Sequence, residues 1–219
     1  MPNIAIDGPA GSGKSTVAKM LARRLTGYIY IDTGAMYRAL TFKAIENNID
    51  MSDEKAMTNL VNNTVIELQP GDPQDVYLDN RRVTEEIRRP DVSGNVSLVA
   101  QHQGVREKLL TLQQEFAIQN NVVMDGRDIG TRVLPNAEYK FFVDADIEVR
   151  TTRRHKELEA SGYDITREAV KDMLLERDNQ DSTRQFSPLS KAEDAILIDT
   201  SSLSPEEVVD TMYSIIKGD

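Results

Sequence analysis

Apolar positions fall into short blocks separated by segments of helical period, a pattern that predicts a mainly parallel sheet covered on both faces by helices. Asn3 to Asp7 reads as a first strand, Gly8 to Gly13 as a loop, and the next segment as a helix with Val17, Met20, Leu21 and Leu25 on one face. Tyr28 to Ile31 is short, aromatic and β-branched, as a buried strand should be, and a helix follows from about Gly34 to Asn47. Val122 to Met124, Tyr139 to Val143 and Ala195 to Ile198 complete a five-stranded sheet. The last helix is marked by Ser204-Pro205-Glu206-Glu207, an N-cap, a first-turn proline and a capping-box glutamate ahead of Val208, Met212, Ile215 and Ile216. Between about Val65 and Val83 the pattern changes. Short β-prone runs flank the turn signals Pro70-Gly71-Asp72-Pro73 and Asp79-Asn80, which predicts a small antiparallel insert.

The chain has 219 residues, room for one α/β domain with an insertion. Twenty-six Lys and Arg against 36 Asp and Glu give a formal charge of -10, which argues against indiscriminate nucleic-acid binding and requires any anionic substrate to meet a local basic cluster. With no cysteine, disulfides, thiolate catalysis and zinc–thiolate sites are excluded, and a reducing cytoplasmic setting is the default. Asp7 interrupts the first apolar run, and no run approaches the ~20 residues of a membrane span, so a soluble, unprocessed protein with no membrane partner is expected.

Gly8-Pro9-Ala10-Gly11-Ser12-Gly13-Lys14-Ser15 matches G-x-x-x-x-G-K-[ST] and lies between the predicted strand and helix, where that pattern has physical meaning. Its glycines let the backbone aim successive N–H groups at phosphate oxygens, and the helix that starts at Lys14, Ser15 and Thr16 adds the positive end of its dipole. Lys14 would neutralise β- and γ-phosphate charge, and the Ser15 hydroxyl would face Mg2+. The alternative is a plain glycine-rich turn. No Asn-Lys dipeptide supports a guanine-reading switch and no LSGGQ segment a transporter, but the loop alone leaves ATPases and many kinases open.

Arginine recurs with polar company in Asp32-Thr33-Gly34-Ala35-Met36-Tyr37-Arg38, at Arg106, in Asp125-Gly126-Arg127-Asp128, and at Arg177, Asp181 and Arg184. Asp125 follows an apolar run and so is expected at the carboxyl end of a central strand, where open α/β sheets bind ligands. The i, i+4, i+7 spacing of 177, 181 and 184 would place two guanidinium groups and a carboxylate on one helix face, unless that face is only a solvated salt-bridge surface. Arg150, Arg153 and Arg154 fall near one face of another predicted helix close to Gly162 and could close over phosphates, or be surface charge. His102 and His155 have no evident catalytic task, and Arg88 and Arg89 have no assigned role.

Together GPAGSGKS, DTGAMYR, DGRDIGT and ERDNQDSTRQFSPL resemble the bacterial cytidylate kinases over nearly the whole chain. Adenylate kinases share the first motif but usually carry Asp-Gly-Phe-Pro-Arg where this chain has Asp125-Gly126-Arg127-Asp128. The resemblance implies a P-loop kinase core, a monophosphate-binding region over about residues 33–100 with its insert at about 64–96, and a short helical lid at about 150–165. It further implies transfer of the γ-phosphoryl group of ATP to CMP or dCMP with Mg2+, by a monomer acting on small molecules. By the same resemblance Arg38 and Arg127 hold the acceptor phosphate, Thr33 and Tyr37 line its pocket, Ser97, Arg106 and Asp128 read cytosine, Asp181 addresses the ribose, and Arg177 and Arg184 contact phosphates. Thr33 stands where the family commonly has serine. Lys14, Arg127, Arg153, Arg177 and Arg184 are then the expected catalytic cations, and Ser15, with Asp125 through water, the expected metal contacts. The chemistry of the base agrees: cytosine offers an amino donor beside ring acceptors, which a carboxylate and a guanidinium match. A kinase for UMP, or for both pyrimidine monophosphates, is the nearest alternative; a regulatory module hydrolysing ATP slowly is the more distant one.

Overall fold

The computed structural model describes residues 3–71 and 74–218, so the Asp72 and Pro73 part of the expected turn lies outside the described residues. Five parallel strands, β1 (Ile4–Asp7), β2 (Tyr28–Asp32), β6 (Asn121–Gly126), β7 (Tyr139–Asp144) and β8 (Ile196–Asp199), form one sheet in the order β2-β6-β1-β7-β8. The fully buried Ile4, Ala5 and Ile6 of β1 and Val122, Val123 and Met124 of β6 explain why the central strands are uninterrupted apolar runs. Strand β1 ends on Asp7, and β6 carries Asp125 one residue before its end. In register, Ile6 faces Asp125 and Asp7 faces Gly126, while Asp32 of β2 faces Asp125, so Asp32 and Asp125 share one sheet face at the carboxyl ends of adjacent strands and Asp7 is turned to the other. This is where the strand order reverses, the usual crevice of an open α/β sheet.

One sheet face is covered by α1 (Lys14–Arg24) and α8 (Pro205–Lys217), whose Val17, Leu21, Val208 and Met212 meet Ile4, Ile6 and Phe141. The other face carries α2 (Thr33–Glu46), α3 (Glu54–Asn62), α4 (Pro90–Ala100) and α5 (Gln103–Gln119). The expected insert is present as a second, antiparallel sheet of β3 (Ile66–Gln69), β4 (Asp75–Leu78) and β5 (Arg81–Arg82). Asp79 and Asn80, at φ 51° and 66°, make the two-residue turn between β4 and β5 that their sequence signals. Leu68, Val76 and Leu78 of this sheet, with Val83 just after it, join the same apolar cluster as Ile31, Val122 and Met124 of the main one. Beyond Val83 the insert is helical, with a short 3₁₀ turn at Glu86–Arg88 leading into α4.

The remaining pair, α6 (Ile147–Ala160) and α7 (Arg167–Thr183), rests on a small cluster of its own formed by Leu158, Val170, Leu174 and Ala10 of the glycine loop. Gly162, at φ 82°, turns the chain between them. Helix α7 ends at Thr183, and Arg184 is its extended C-cap, so the expected single helical face through 177, 181 and 184 is corrected: only the first two share the helix. His102 and His155 are structural, each with a ring nitrogen on a backbone oxygen, of Met51 at 2.8 Å and of Ile165 at 2.9 Å.

The α8 capping box forms as its sequence indicates, with the Ser204 hydroxyl accepting from Glu207 N and the Glu207 carboxylate accepting from Ser204 N at 2.8 Å. Because the two capping bonds are exposed and join only Ser204 and Glu207, Ser204→Ala is expected to cost about 1 kcal/mol. In thermal unfolding this lowers Tm by about 2–4 °C, with steady-state kinetic constants unchanged.

Candidate active site

The loop from Gly8 to Gly13 is held by close backbone contacts. At Gly8, φ is 154° and a Cβ would lie 2.0 Å from the Val143 carbonyl oxygen, so a side chain there must break the contact between the loop and β7. Gly13 is the N-cap of α1 at φ 88°, with no side chain capping the helix and no acidic residue in its first turn. The first N–H groups of α1 therefore point outward with their dipole unneutralised, ready for an anion. Lys14 is buried and its Nζ donates to the Pro9 carbonyl at 2.9 Å. Burial, followed by repulsion from Arg127, pushes its pKa down to about 7. Ser15 donates to Asp125 Oδ2 at 2.6 Å and the Tyr30 hydroxyl to Asp125 Oδ1 at 2.7 Å. Burial and the neighbouring Asp32 raise the Asp125 carboxyl above its ordinary range.

Opposite the loop, Asp32 caps α2 by accepting from Ala35 N at 3.1 Å and pairs with Arg38 at 2.7 Å. Burial alone would raise its pKa, but Arg38 overrides that and the net shift is downward. The Thr33 hydroxyl donates to the Asp125 carbonyl at 2.7 Å, fixing the start of α2 to the end of β6, so this hydroxyl is engaged within the protein. Deeper in the cleft Arg106 pairs with Asp128 at 2.5 Å, donates to the Ala100 carbonyl at 3.1 Å and lies over the Tyr37 ring at 5.4 Å from its centroid. Asp181 receives Arg127 at 2.8 Å, Arg184 at 3.3 Å and Ser97 at 3.4 Å, while Arg184 also lies 3.8 Å from Asp128. Burial works against the Asp181 charge, but Arg127, Arg177 and Arg184 hold its carboxyl below the usual range. Thus Ser97, Arg106, Arg127, Asp128, Asp181 and Arg184, spread over some ninety positions of sequence, form one ion-pair network.

Arg177 differs from these. Among the described residues it has no ion pair, its Nε is buried without a hydrogen-bond partner, and burial together with Arg127 pulls its pKa down to about 10. Arg38 adds to that repulsion, and Arg127 and Arg177 both depress Lys14. Lys14, Arg38, Arg127 and Arg177 are therefore near enough for Arg127 to repel Lys14 and Arg177, and for Arg177 to feel Arg38. An anion among them would offset this repulsion, most of all at Lys14 and Arg177.

The cytidylate kinase family profile matches residues 4–218. The chain belongs to this family. It is 53% identical over 215 residues to "Cytidylate kinase" of Bacillus cytotoxicus, covering 98% of this chain and 95% of that one. It is 52% identical over 217 residues to "Cytidylate kinase" of Bacillus cereus strain B4264, covering 99% and 96%. In fold it is similar to a shikimate kinase from Acinetobacter baumannii, solved with shikimate, at a TM-score of 0.51 and 14% identity over 100% of this chain and 94% of the other.

In this member of the cytidylate kinase family the three arginines of α6 part company. Arg150 is buried, donating to the Ala10 and Ala145 carbonyls at 3.1 and 2.9 Å and pairing with Asp178. Arg153 is tied to the outer side of the loop, donating to Ser12 O at 3.3 Å, Thr200 Oγ1 at 3.0 Å and Thr200 O at 2.7 Å. Arg154 lines the cleft between α4, α6 and α7 together with Ser97 and Arg177. Arg88 is exposed beside Arg38 and Lys19 in a shallow groove under the insert, and Arg89 pairs with Asp91 at 2.5 Å. Sequence reasoning missed Asp178, which accepts from Ala10 N at 3.1 Å, and Tyr30, which orients Asp125. It also missed Asp7, whose two oxygens accept from Ile129 N and Gly130 N, each at 2.8 Å. Only Asp7, a carboxylate directly before the glycine loop, left a readable signal.

A triphosphate beside Lys14 raises the pKa of its ammonium from about 7, so nucleotide binding near pH 7.5 is expected to take up a proton. Calorimetry of ATP binding without acceptor, in buffers of different ionisation enthalpy, should show this uptake, and Lys14→Met should abolish it. A binding heat independent of buffer would contradict the assignment.

Proposed function

We propose that the chain transfers the γ-phosphoryl group of ATP to CMP, and also to dCMP, giving ADP and the corresponding diphosphate. The observation that carries this reading is the set of four opposed cations, Lys14, Arg38, Arg127 and Arg177, beside a network offering both a carboxylate and guanidinium groups to a base. The family assignment agrees with it. The glycine loop from Gly8 to Ser15, with Thr16 behind it, cradles the ATP phosphates; Arg38 and Arg127 hold the acceptor phosphate. The acceptor oxygen is already anionic, so transfer requires alignment and charge neutralisation rather than a proton-abstracting base. Lys14, Arg177 and Arg184 stabilise the charge that passes between donor and acceptor.

Ser15 and Asp125, a hydroxyl and a carboxylate 2.6 Å apart beneath the loop, are a suitable oxygen donor pair for Mg2+. Bound there, the ion would neutralise phosphate charge on the donor. Asp128 and Arg106 read the cytosine amino group and its ring acceptors, with Ser97 and Tyr37 beside them. UMP would set a carbonyl against Asp128, at a cost of about 1–3 kcal/mol. Both Asp181 oxygens are engaged by Arg127, Arg184 and Ser97, so loss of the ribose 2′-hydroxyl orphans no buried carboxylate, which favours acceptance of dCMP. Residues of about 33–100 then form the acceptor region and those of about 150–165 the lid. Arg154 is its phosphate finger, while Arg153 braces the glycine loop on the donor side. Every proposed group comes from one chain, so a monomer suffices. No helix of the described residues is long and apolar enough to cross a membrane, and we place the enzyme in the cytoplasm.

ADP formation from ATP and Mg2+ should depend strongly on CMP or dCMP, weakly on UMP, and be lost in Lys14→Ala; turnover indifferent to every monophosphate would leave only a nucleoside triphosphatase. Asp128→Asn should narrow the CMP/UMP ratio of kcat/KM by about tenfold or more. Arg154→Ala should lower kcat at least about tenfold, whereas Arg153→Ala should act mainly on KM for ATP; the reverse result would exchange their roles.

A further inference from the structure

The turn that follows Asp128 is a five-residue π-helical segment, Ile129–Val133, and Asp128 stands at its N-cap with φ −142° and ψ 27°. An aspartate there ordinarily bends its side chain onto the first free N–H groups of the turn it begins. Here it makes no such bond. Its carboxylate is directed away, to Arg106 at 2.5 Å and toward Arg184 at 3.8 Å. The N–H groups of Ile129 and Gly130, both buried, are satisfied instead by the two oxygens of Asp7, from a different strand and more than a hundred residues away. The fit is close: a Cβ on Gly130 would stand 3.4 Å from Asp7 Oδ2 and 3.2 Å from the Lys140 side chain. Asp7 is buried and has no cation within salt-bridge distance among the described residues, so its oxygens serve these two donors.

We infer that Asp7 is a positioning residue for base selection: by capping the turn after Asp128 from across the sheet, it leaves the Asp128 carboxylate free to face the acceptor base. Without the Asp7 oxygens, two buried donors lose their partners, and the carboxylate nearest in sequence to answer them is Asp128 itself. Drawn back onto its own turn, Asp128 leaves Arg106, and the pocket loses the acceptor that distinguishes an amino group from a carbonyl. Asp7 directly precedes Gly8, so the same residue fixes the base-reading turn relative to the phosphate loop.

This inference rests on the reading of Asp128 as the base-reading group, and the two can fail separately. The experiment compares kcat/KM for CMP and UMP, ATP affinity and Tm in the wild-type chain, Asp7→Asn, Asp128→Asn and the double variant. Asparagine preserves the shape of Asp7 but sets an NH2 against one of the two N–H groups. Asp7→Asn is expected to lower the CMP/UMP ratio about tenfold while changing ATP affinity by less than about twofold. The double variant should discriminate no worse than Asp128→Asn, because Asp7 acts through Asp128. A merely structural Asp7 would lower Tm and leave the ratio unchanged, which overturns the inference, as would additive losses in the double variant. If Asp128→Asn alone leaves the ratio unchanged, the base-reading assignment fails first. Should Asp7→Asn not fold, Asp7→Ser, which removes at least one of the two acceptor oxygens, is measured in its place, and an unaltered ratio there overturns the inference equally.

Discussion

Four cations forced to face one another across the carboxyl ends of the strands are the constraint on which the site depends. Lys14 sits at the start of α1, Arg38 one turn into α2, Arg127 just past β6 and Arg177 within α7, so no local segment supplies the cluster. Their repulsion is tolerated because Asp32, Asp125 and Asp181 stand among them, and because the sheet and its helices are packed well enough to keep the chain from relaxing away. Arg38 and Arg127 are paired; Lys14 and Arg177 are not, and burial, followed by repulsion from Arg127, lowers the pKa of both. Such a site is unfavourable without an anion and favourable with one, which is the condition for binding energy to be gained where phosphoryl charge passes.

The sheet could be read from the chain because its central strands are buried on both faces and so appear as plain apolar blocks. The glycine loop could be read because its backbone geometry admits few residue types, as the Gly8 contact with Val143 illustrates. The proposed nucleoside-reading set was legible only through family resemblance: Ser97, Arg106 and Asp128 for the base and Asp181 for the ribose have no common spacing, and their meeting is a product of topology. What spacing did indicate for 177, 181 and 184 was half misleading, since the helix stops at Thr183 and Arg184 returns to Asp181 from an extended residue. The arginines of α6 could not be sorted by periodicity, because Arg150, Arg153 and Arg154 differ in which loop carbonyls lie within reach rather than in pattern.

Packing divides the molecule unequally. The pair α6 and α7 rests on four buried apolar residues, one of them Ala10 in the glycine loop, with Ile147 and Ile165 beside them. A small apolar seam costs little to open, so this pair is the part of the fold best suited to movement. Its polar ties, from Arg150 to the Ala10 carbonyl and from Asp178 to Ala10 N, lead directly to the backbone that surrounds the phosphates. Motion of these helices and the shape of the loop are thus mechanically linked.

The insert is bound in a different manner. Leu68, Val76, Leu78 and Val83 lie in one continuous apolar cluster with Ile31, Val122 and Met124, and the second sheet packs on α2, which in turn covers the first. It therefore lacks the modularity that its position between α3 and α4 suggests. Excised, it would leave an oily wound on α2; grafted onto a shorter kinase, it would arrive without half of its own interior. A change in acceptor range across related chains would then have to proceed by point substitution within this shared interior rather than by exchange of the whole piece.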